Sequence, residues 1–432
     1  MLKNSSIAEL LALEVESATG HLQKAFRRAS RLAFMWPEEG ADVVQKGRSL
    51  TELPGVGPHL ERIIHAWIEH PPKPSPPDPL RTNFITLVDA RAVLSRHPEW
   101  AKRLRGDLQM HTHYSDGSGS VQDMADEAET RGYEFIAITD HSKGLSIANG
   151  MNEQHLRAQG VEISKVNAVL AKRDAKVRVL KSIEMNLNPH GEGDMESDAL
   201  AELDLVLGSF HSALRKKEDQ TARYLAGLRN PDIQVLGHPR GRVYNYRAGL
   251  SADWPRVFAE AAALDKAVEI DSYVDRQDLS IELLPMAREA GVRISIGTDA
   301  HSPDQLAFIE LGLATALLAR IPAERIINFM PREELLAWTA RLNRDGIRST
   351  NPRKLQLQQS ALVFGEETKM AKRELIDTGT DKRFVRRAEN GTFKESDDVG
   401  KSLAADRRVK AKTTVKPGQG DKGDRKVTSK KK

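Results

Sequence analysis

Between residues 105 and 343 the sequence alternates short, unbroken apolar runs with helical stretches, and this alternation limits the fold more than any other feature. The runs are GDLQM, EFIAIT, VRVLKSI, LDLVLGS, IQVLG, AVEID and RISIGT. A strand with one face in water alternates apolar and polar residues. A continuously apolar strand belongs to a parallel sheet covered on both sides. Helical segments such as SVQDMADEAETRG and QTARYLAGLRN lie between the runs. Seven such units in succession favour a closed (βα) barrel over an open sheet, so the expected class is α/β.

In a barrel of this kind the chemistry sits where strands end. His111 and His113 follow the first run, with Asp116 in the next turn. Asp140 and His141 end the second run, Glu184 the third, His211 the fourth and His238 the fifth. Glu269 and Asp271 close the sixth, and Asp299 and His301 the seventh. One histidine after a strand is ordinary loop chemistry. Ligand types after every strand, including six of the 13 histidines, read as a metal site. The set is too large for one zinc ion, which takes four ligands, and a carboxylate such as Glu184 can bridge two ions. Two or three divalent ions are therefore expected. With no cysteine in the chain, the donors are nitrogen and oxygen, which suit Mn, Zn or Fe. Clustered ions activate water and stabilise charge on a phosphoryl group.

The stretches HTHYSDG, ITDHS, GSFHS, GHPRGR and GTDAH, with Glu184, together resemble the motifs of the PHP (polymerase and histidinol phosphatase) superfamily. The resemblance is nearest to the PHP domain of bacterial family X DNA polymerases, and VEIDSYVDRQDL and GTDAHSPDQLAF strengthen it. It implies a distorted seven-stranded (βα) barrel over residues 105–343 with a trinuclear metal centre. Carried onto this chain, it gives His111, His113, Glu184 and Asp299 to a first metal. Glu184 bridges to a second, completed by His211 and His238, and Asp116, His141 and His301 hold a third. The reacting water would be held by Glu184, Asp299 and His211. Asp140 is expected to orient a histidine, and His190 to be a loop residue. Lys143, Arg240 and Arg242 flank strand ends, where they either hold substrate phosphates or form ordinary surface ion pairs. The implied activity is phosphoester hydrolysis; the polymerase-linked relatives are 3′–5′ exonucleases, and some relatives cleave abasic sites.

Residues 1–72 read as a small all-α domain. Within it, LTELPGVGPHLERIIHAW resembles a helix-hairpin-helix motif, in which Gly55 and Gly57 permit a tight turn and backbone N–H groups meet a DNA phosphate. Leu50, Leu53, Leu60, Ile63 and Ile64 supply its apolar positions. Upstream, Lys24, Arg27, Arg28 and Arg31 fall on one helix face and Leu22, Phe26, Ala29 and Ala33 on another. The basic stripe is either a DNA contact or a solvated face. The arrangement resembles the N-terminal DNA-binding domain of family X polymerases. Only a Pro-rich linker and connecting helix, residues 73–104, separate it from the barrel, too short for a polymerase palm, so polymerase activity is not expected.

Residues 344–432 read as a linker and a basic, disordered tail. Residues 401–432 carry 12 Lys and Arg against three Asp, a charge that could add nonspecific affinity for nucleic acid. No apolar run approaches the ~18 residues of a membrane span. The N-terminus carries Glu9, Glu14 and Glu16 and no small-residue cleavage site, so a cytoplasmic location is expected. The expected function is a metal-dependent phosphoesterase acting on DNA in repair, with DNA and a separate polymerase or repair proteins as partners. A small-molecule phosphatase of the histidinol-phosphatase type and a non-catalytic DNA-binding scaffold are the alternatives.

Overall fold

The computed structural model describes residues 1–73, 76–349, 374–377, 382–387 and 393–398. Four helices open the chain: α1 (Asn4–Ser17), α2 (Gly20–Leu32), α3 (Gly40–Gln45) and α4 (Pro58–Glu69). Ile7, Ala8, Leu11, Ala12 and Val15 form one buried face of α1 and share a core with Phe26, Ala29 and Ala33. Leu22, expected on that apolar face, is instead 40% exposed. It sits in the first turn of α2 and, among the described residues, joins none of the core clusters. The LPGVG turn precedes α4. Gly55 takes φ +81°, a conformation that side chains rarely adopt, so the backbone there favours glycine; a Cβ would press only on the end of the Leu32 side chain, 2.6 Å away. Gly57 has open space around it. Leu50, Leu53, Leu60 and Ile64 are buried, with Ile63 at the margin.

The connection expected to hold one helix holds two, α5 (Leu87–Leu94) and α6 (Pro98–Arg103). Proline lacks an N–H to donate, so a helix can start at Pro98 but not pass through it.

Seven parallel strands follow in sequence order: β1 (Gly106–Asp107), β2 (Phe135–Ile138), β3 (Arg178–Asn186), β4 (Leu205–Ser209), β5 (Val235–Leu236), β6 (Ala267–Asp271) and β7 (Arg293–Gly297). Between them lie α7 (Val121–Thr130), α8 (Glu153–Lys172), α9 (Ser197–Leu200), α10 (Thr221–Arg229), α11 (Trp254–Ala263) and α12 (Leu284–Ala290), and α13 (Ile309–Leu318) and α14 (Arg332–Ser349) follow β7. Beyond β1 and β7 the two chain segments meet. Asp299 N donates to Gln109 O at 3.0 Å and His111 N to Ala300 O at 2.7 Å, which nearly closes the barrel.

The period-2 rule of strands divides the core. Phe135, Ala137, Leu205, Leu207, Val235 and Ala267 share one cluster, capped by Leu335 and Trp338 of α14. Their neighbours Ile136 and Ile138, and Val206, Leu236 and Val268, pack into other clusters with the surrounding helices. Because both faces are buried, the sequence shows apolar runs rather than alternation.

The helical unit packs on the loops after β5 and β6. Tyr244 stands edge-on to Phe34 and Phe84, with ring centroids 5.0 and 5.1 Å away, and Val274 joins the same core. Arg81, nearly fully buried, reaches Glu9 at 2.9 Å and Asn245 Oδ1 at 2.8 Å. Among the described residues no helix is long and apolar enough to cross a membrane.

A second unit contains β8 (Glu374–Asp377), β9 (Lys382–Arg387) and β10 (Phe393–Asp398), paired as an antiparallel meander. Part of the stretch expected to be linker and disordered tail is therefore strand. The sequence carries the turn signal Asn390-Gly391 between two short runs containing Phe384, Val385 and Phe393. The basic end, beyond residue 398, lies outside the described residues.

The aromatic contact gives a stability prediction. Tyr244→Ala should cost about 3 kcal/mol in urea denaturation, through loss of a buried ring. Tyr244→Phe, which loses only the 3.3 Å bond to Ala8 O, should cost about 1 kcal/mol or less. Equal losses for the two would contradict the ring contact as the source.

Candidate metal centre

Glu184 is fully buried in β3, and its carboxylate is surrounded by imidazoles. Oε1 lies 2.6 Å from His238 Nε2 and 3.1 Å from His211 Nε2; Oε2 lies 3.2 Å from His141 Nδ1 and 3.4 Å from His111 Nε2. The strand ladder sets this up. Glu184 N donates to Asp140 O and Ser142 N donates to Glu184 O, so the chain leaving β2 delivers His141 beside the carboxylate.

Three groups around it bring metal-ligand atoms within 4.8 Å of one another: His111, Asp116, His141 and His301; His141, Glu184 and His211; and His111, Glu184 and Asp299. They share members, as a cluster of ions with bridging ligands requires. Buried atoms without a hydrogen-bond partner include Glu184 Oε2, His111 Nδ1, His141 Nδ1, His211 Nε2, His238 Nδ1 and Asp299 Oδ2. Unpaired buried polar atoms are costly, and several of these converge on the same space, so the donor set fits divalent cations.

Neighbours aim the imidazoles. His211 Nδ1 lies 3.2 Å from Asn186 Oδ1, and His301 Nδ1 lies 2.6 Å from the carbonyl of Asp299, which leaves each Nε2 for the cluster. Two cluster residues carry left-handed backbone, His238 with φ 21° and Asp299 with φ 53°. Non-glycine residues hold such conformations at a cost of about 1–3 kcal/mol each, and tend to do so at functional sites.

The electrostatics follow from these contacts. Burial opposes charge on Glu184, but His141, His238 and His211 hold its pKa well below the ordinary carboxylate range. Burial alone would lower the His111 pKa; the hydrogen bond and charge of Asp299, 2.8 Å away, raise it to about 10.

Several expected residues lie elsewhere. His113 is exposed, stacks on Tyr114 with ring centroids 4.9 Å apart, and belongs to none of the three groups. The chain turns at this point, with Ser115 N and Gly117 N both donating to the Thr112 carbonyl, so the period-2 rule that would put His113 beside His111 does not hold. Asp140 orients no histidine directly. It accepts from Thr112 N at 2.7 Å, Thr112 Oγ1 at 2.6 Å, Ser115 Oγ at 2.5 Å and Gln159 Nε2 at 2.5 Å. It thereby fixes the loop that carries His111 and Asp116.

Arg242 is buried with its guanidinium 3.7 Å over the Phe84 ring, donating to the carbonyls of Thr82 and Asn83, and so fastens the linker to the barrel. Lys143 pairs with Glu153 at 2.5 Å and Arg240 with Glu282 at 2.8 Å. His190 sits in a loop, with its N–H on Asn188 Oδ1. The stripe residues Lys24, Arg27 and Arg28 are exposed.

Sequence reading did not single out Arg276. Its Nε lies 3.2 Å from Asp299 Oδ2 and 3.7 Å from Asp271 Oδ2. Despite burial, the charges of Asp299 and Asp271 raise its pKa, so it is a permanent cation at the edge of the cluster. The available signal was its place in VEIDSYVDRQDL, just after the sixth strand.

Residues 107–285 match the PHP domain family. The DNA polymerase/3′-5′ exonuclease PolX of Bacillus subtilis is 34% identical over 240 residues, which span 55% of this chain and 41% of the polymerase. A probable phosphatase of Shewanella frigidimarina is 30% identical over 247 residues, 54% of this chain and 93% of that protein. Among solved structures, histidinol phosphate phosphatase of Lactococcus lactis, complexed with zinc, L-histidinol and phosphate, overlaps 56% of this chain and 94% of its own at 16% identity, with a TM-score of 0.34. That is too distant to carry residue roles across.

The His111–Asp299 pair predicts how metal loading depends on pH. A histidine raised from 6.5 to about 10 stabilises the metal-free fold fully below pH 6.5, and that contribution disappears as pH climbs through about 10. A cation binding His111 must displace this proton. Loading of stripped protein at pH 7 should release a proton, and apparent affinity should rise about tenfold per pH unit between pH 7 and 9. Calorimetry in two buffers of different ionisation enthalpy reads the proton directly; identical heats would contradict the assignment.

Proposed function

The chain belongs to the PHP domain family, and from that premise we propose that it is a metal-dependent phosphoesterase acting on DNA, as a 3′–5′ exonuclease or abasic-site nuclease. The observation that carries the phosphoesterase reading is the set of overlapping histidine–carboxylate groups around the buried Glu184. We assign His111, His113, Glu184 and Asp299 to one ion, Glu184, His211 and His238 to a second, and Asp116, His141 and His301 to a third. His113 would have to turn inward from its exposed position to join the first. Manganese or zinc suits these donors, with iron as a further option.

Divalent ions held here would make water a stronger nucleophile and neutralise charge developing on phosphoryl oxygens. The protein's own residues do the rest. Glu184 joins the groups into one centre. Asn186 and the Asp299 carbonyl keep His211 and His301 aimed, so little reorganisation accompanies the reaction. Arg276 places a fixed positive charge beside Asp299, where a phosphate would approach, and its planar fork matches phosphate oxygens. Arg240, tied to Glu282 at the rim, can turn toward a longer substrate.

DNA is favoured as substrate because the helical unit lies against the loops after β5 and β6, with an exposed basic face and the Gly55–Gly57 turn. The polymerase relative, whose name includes 3′-5′ exonuclease, supports the same choice. A small phosphoester is the second reading, favoured by the probable phosphatase that this chain matches over 93% of its length.

The test uses metal-stripped full-length protein with Mn²⁺ or Zn²⁺ restored, offered 3′-labelled and 5′-labelled DNA, an abasic duplex and p-nitrophenyl phosphate. Stepwise metal-dependent shortening from the 3′ end, or cutting at the abasic site, is expected. Glu184→Gln should lower it by more than the about 10–100-fold typical of removing a residue that only supports a ligand. Turnover of the small ester with DNA untouched would replace the nuclease reading with the phosphatase one.

A further inference from the structure

One face of α2 carries charge with no counter-charge on the same helix. Its sequence, GHLQKAFRRASRL, holds Lys24, Arg27, Arg28 and Arg31 and no carboxylate. Phe26, Ala29 and Ser30 are buried, which turns the cationic face to solvent. Among the described residues, the side chains of Lys24, Arg27 and Arg28 have no ion-pair partner. Such a face could be merely solvated, but its far end is anchored.

Arg31, still 47% exposed, meets Asp275 at 2.9 Å. Asp275 lies in the loop after β6, next to Arg276, which reaches Asp299 of the cluster at 3.2 Å. Two residues earlier, Tyr273 sets its ring edge toward His301 with centroids 6.0 Å apart and packs on the helical unit's core. The basic stripe therefore ends one residue away from a side chain that touches the candidate centre.

The dimensions suit one nucleic-acid strand. A helix rises about 1.5 Å per residue, so Lys24 and Arg28 stand roughly 10 and 5 Å along the axis from Arg31. A stacked strand rises about 3.4 Å per nucleotide, so the stripe spans about three nucleotides. Its width is one side chain, i, i+4 and i+7, narrower than the face a duplex presents. A membrane surface would call for apolar residues beside the cations, and Leu22 is the one exposed large apolar residue on α2.

We propose that α2 is a guide rail for a single strand, in which Lys24, Arg28 and Arg31 hold successive phosphates and deliver the strand's end past Arg276 to the metal cluster. This rests on the phosphoesterase reading above and adds the form of substrate and its path. With no exposed Phe, Tyr or Trp on α2 for bases to stack on, the contact is chiefly to phosphate, so it is sequence-independent and salt-sensitive.

Binding can be read without catalysis. A 12-nucleotide oligothymidylate with a fluorescein label is titrated with the full chain in EDTA, over a range of salt, and anisotropy is followed. Lys24→Ala/Arg28→Ala should weaken binding about tenfold or more at low salt. It should also flatten the slope of log affinity against log salt by about 1.4, two phosphate contacts at ~0.7 each. Lys165→Ala/Lys172→Ala, on the exposed side of α8, should match the wild type.

With metal restored, the rail variant should raise KM for the 12-mer about tenfold and KM for a dinucleotide less than twofold. Oligonucleotide degradation with affinity, salt slope and length dependence equal to the α8 control would overturn the rail and leave the nuclease reading standing. Binding that depends on α2 with no ester hydrolysed would support the rail as a binding surface and overturn the nuclease reading. No binding at all would overturn the rail.

Discussion

Glu184 is a carboxylate taken wholly out of water and surrounded by four imidazoles, and much of the barrel is arranged around keeping it there. An isolated buried carboxylate would take up a proton. Here His141, His238 and His211 favour the charged form strongly enough to outweigh burial. Each of these imidazoles comes from a different strand end, so the site exists only when β2, β3, β4 and β5 are in register. The parallel ladder enforces that register through the backbone of Glu184 itself, which is bonded on both sides to the segment after β2.

Around this centre, buried polar groups act on loop shape more than on ligands. Asp140 gathers Thr112, Ser115 and Gln159 and so fixes the turn from His111 to Asp116. Thr298 donates its hydroxyl to Asp107 at 2.6 Å and its neighbour Asp299 bonds Gln109, which locks the seventh strand end to the first. The bond from Asp299 N to Gln109 O, and a 2.7 Å bond from His238 N to Glu269 Oε2, hold these two residues in left-handed backbone. A strained residue stays in place only when its surroundings over-determine it, and here hydrogen bonds from adjoining strands do so.

The sequence made the barrel legible because the relevant signals are local. Apolar runs mark strands, and a histidine or acid immediately after a run is visible without knowing what it touches. The apolar positions of α4 and the glycine turn at Gly55 were legible for the same reason. What could not be read depends on pairs far apart in the chain. Arg276 looks like any loop arginine until Asp299 is seen beside it. Arg242 reads as a substrate contact because it follows His238 in GHPRGR, but the Phe84 ring, more than 150 residues away in the chain, determines its place. His113 repeats the spacing of a ligand, and only the path of the loop shows its side chain exposed. Asp140 beside His141 suggested a histidine partner; the backbone turned it toward Thr112 instead.

The docking of the helical unit belongs to that second category, and it changes what the first can mean. Phe34, Phe84 and Tyr244 form a contact among three separate parts of the chain, and Arg81 and Arg242 bind the linker down on either side of it. The short connection thus does more than leave no room for an intervening domain. It sets the helical unit on the loops after β5 and β6, the same loops that bear Arg240 and Arg276. Two features that the sequence offers as independent modules, a basic helix and a ligand-bearing barrel, are held against each other by a buried aromatic contact. Arg31 and Asp275 join α2 to the loop that bears Arg276, beside the apolar contacts of Tyr273 and Val274 with the same core. On the proposed reading, a strand approaching along α2 would meet Asp275 one residue from the arginine that neutralises Asp299.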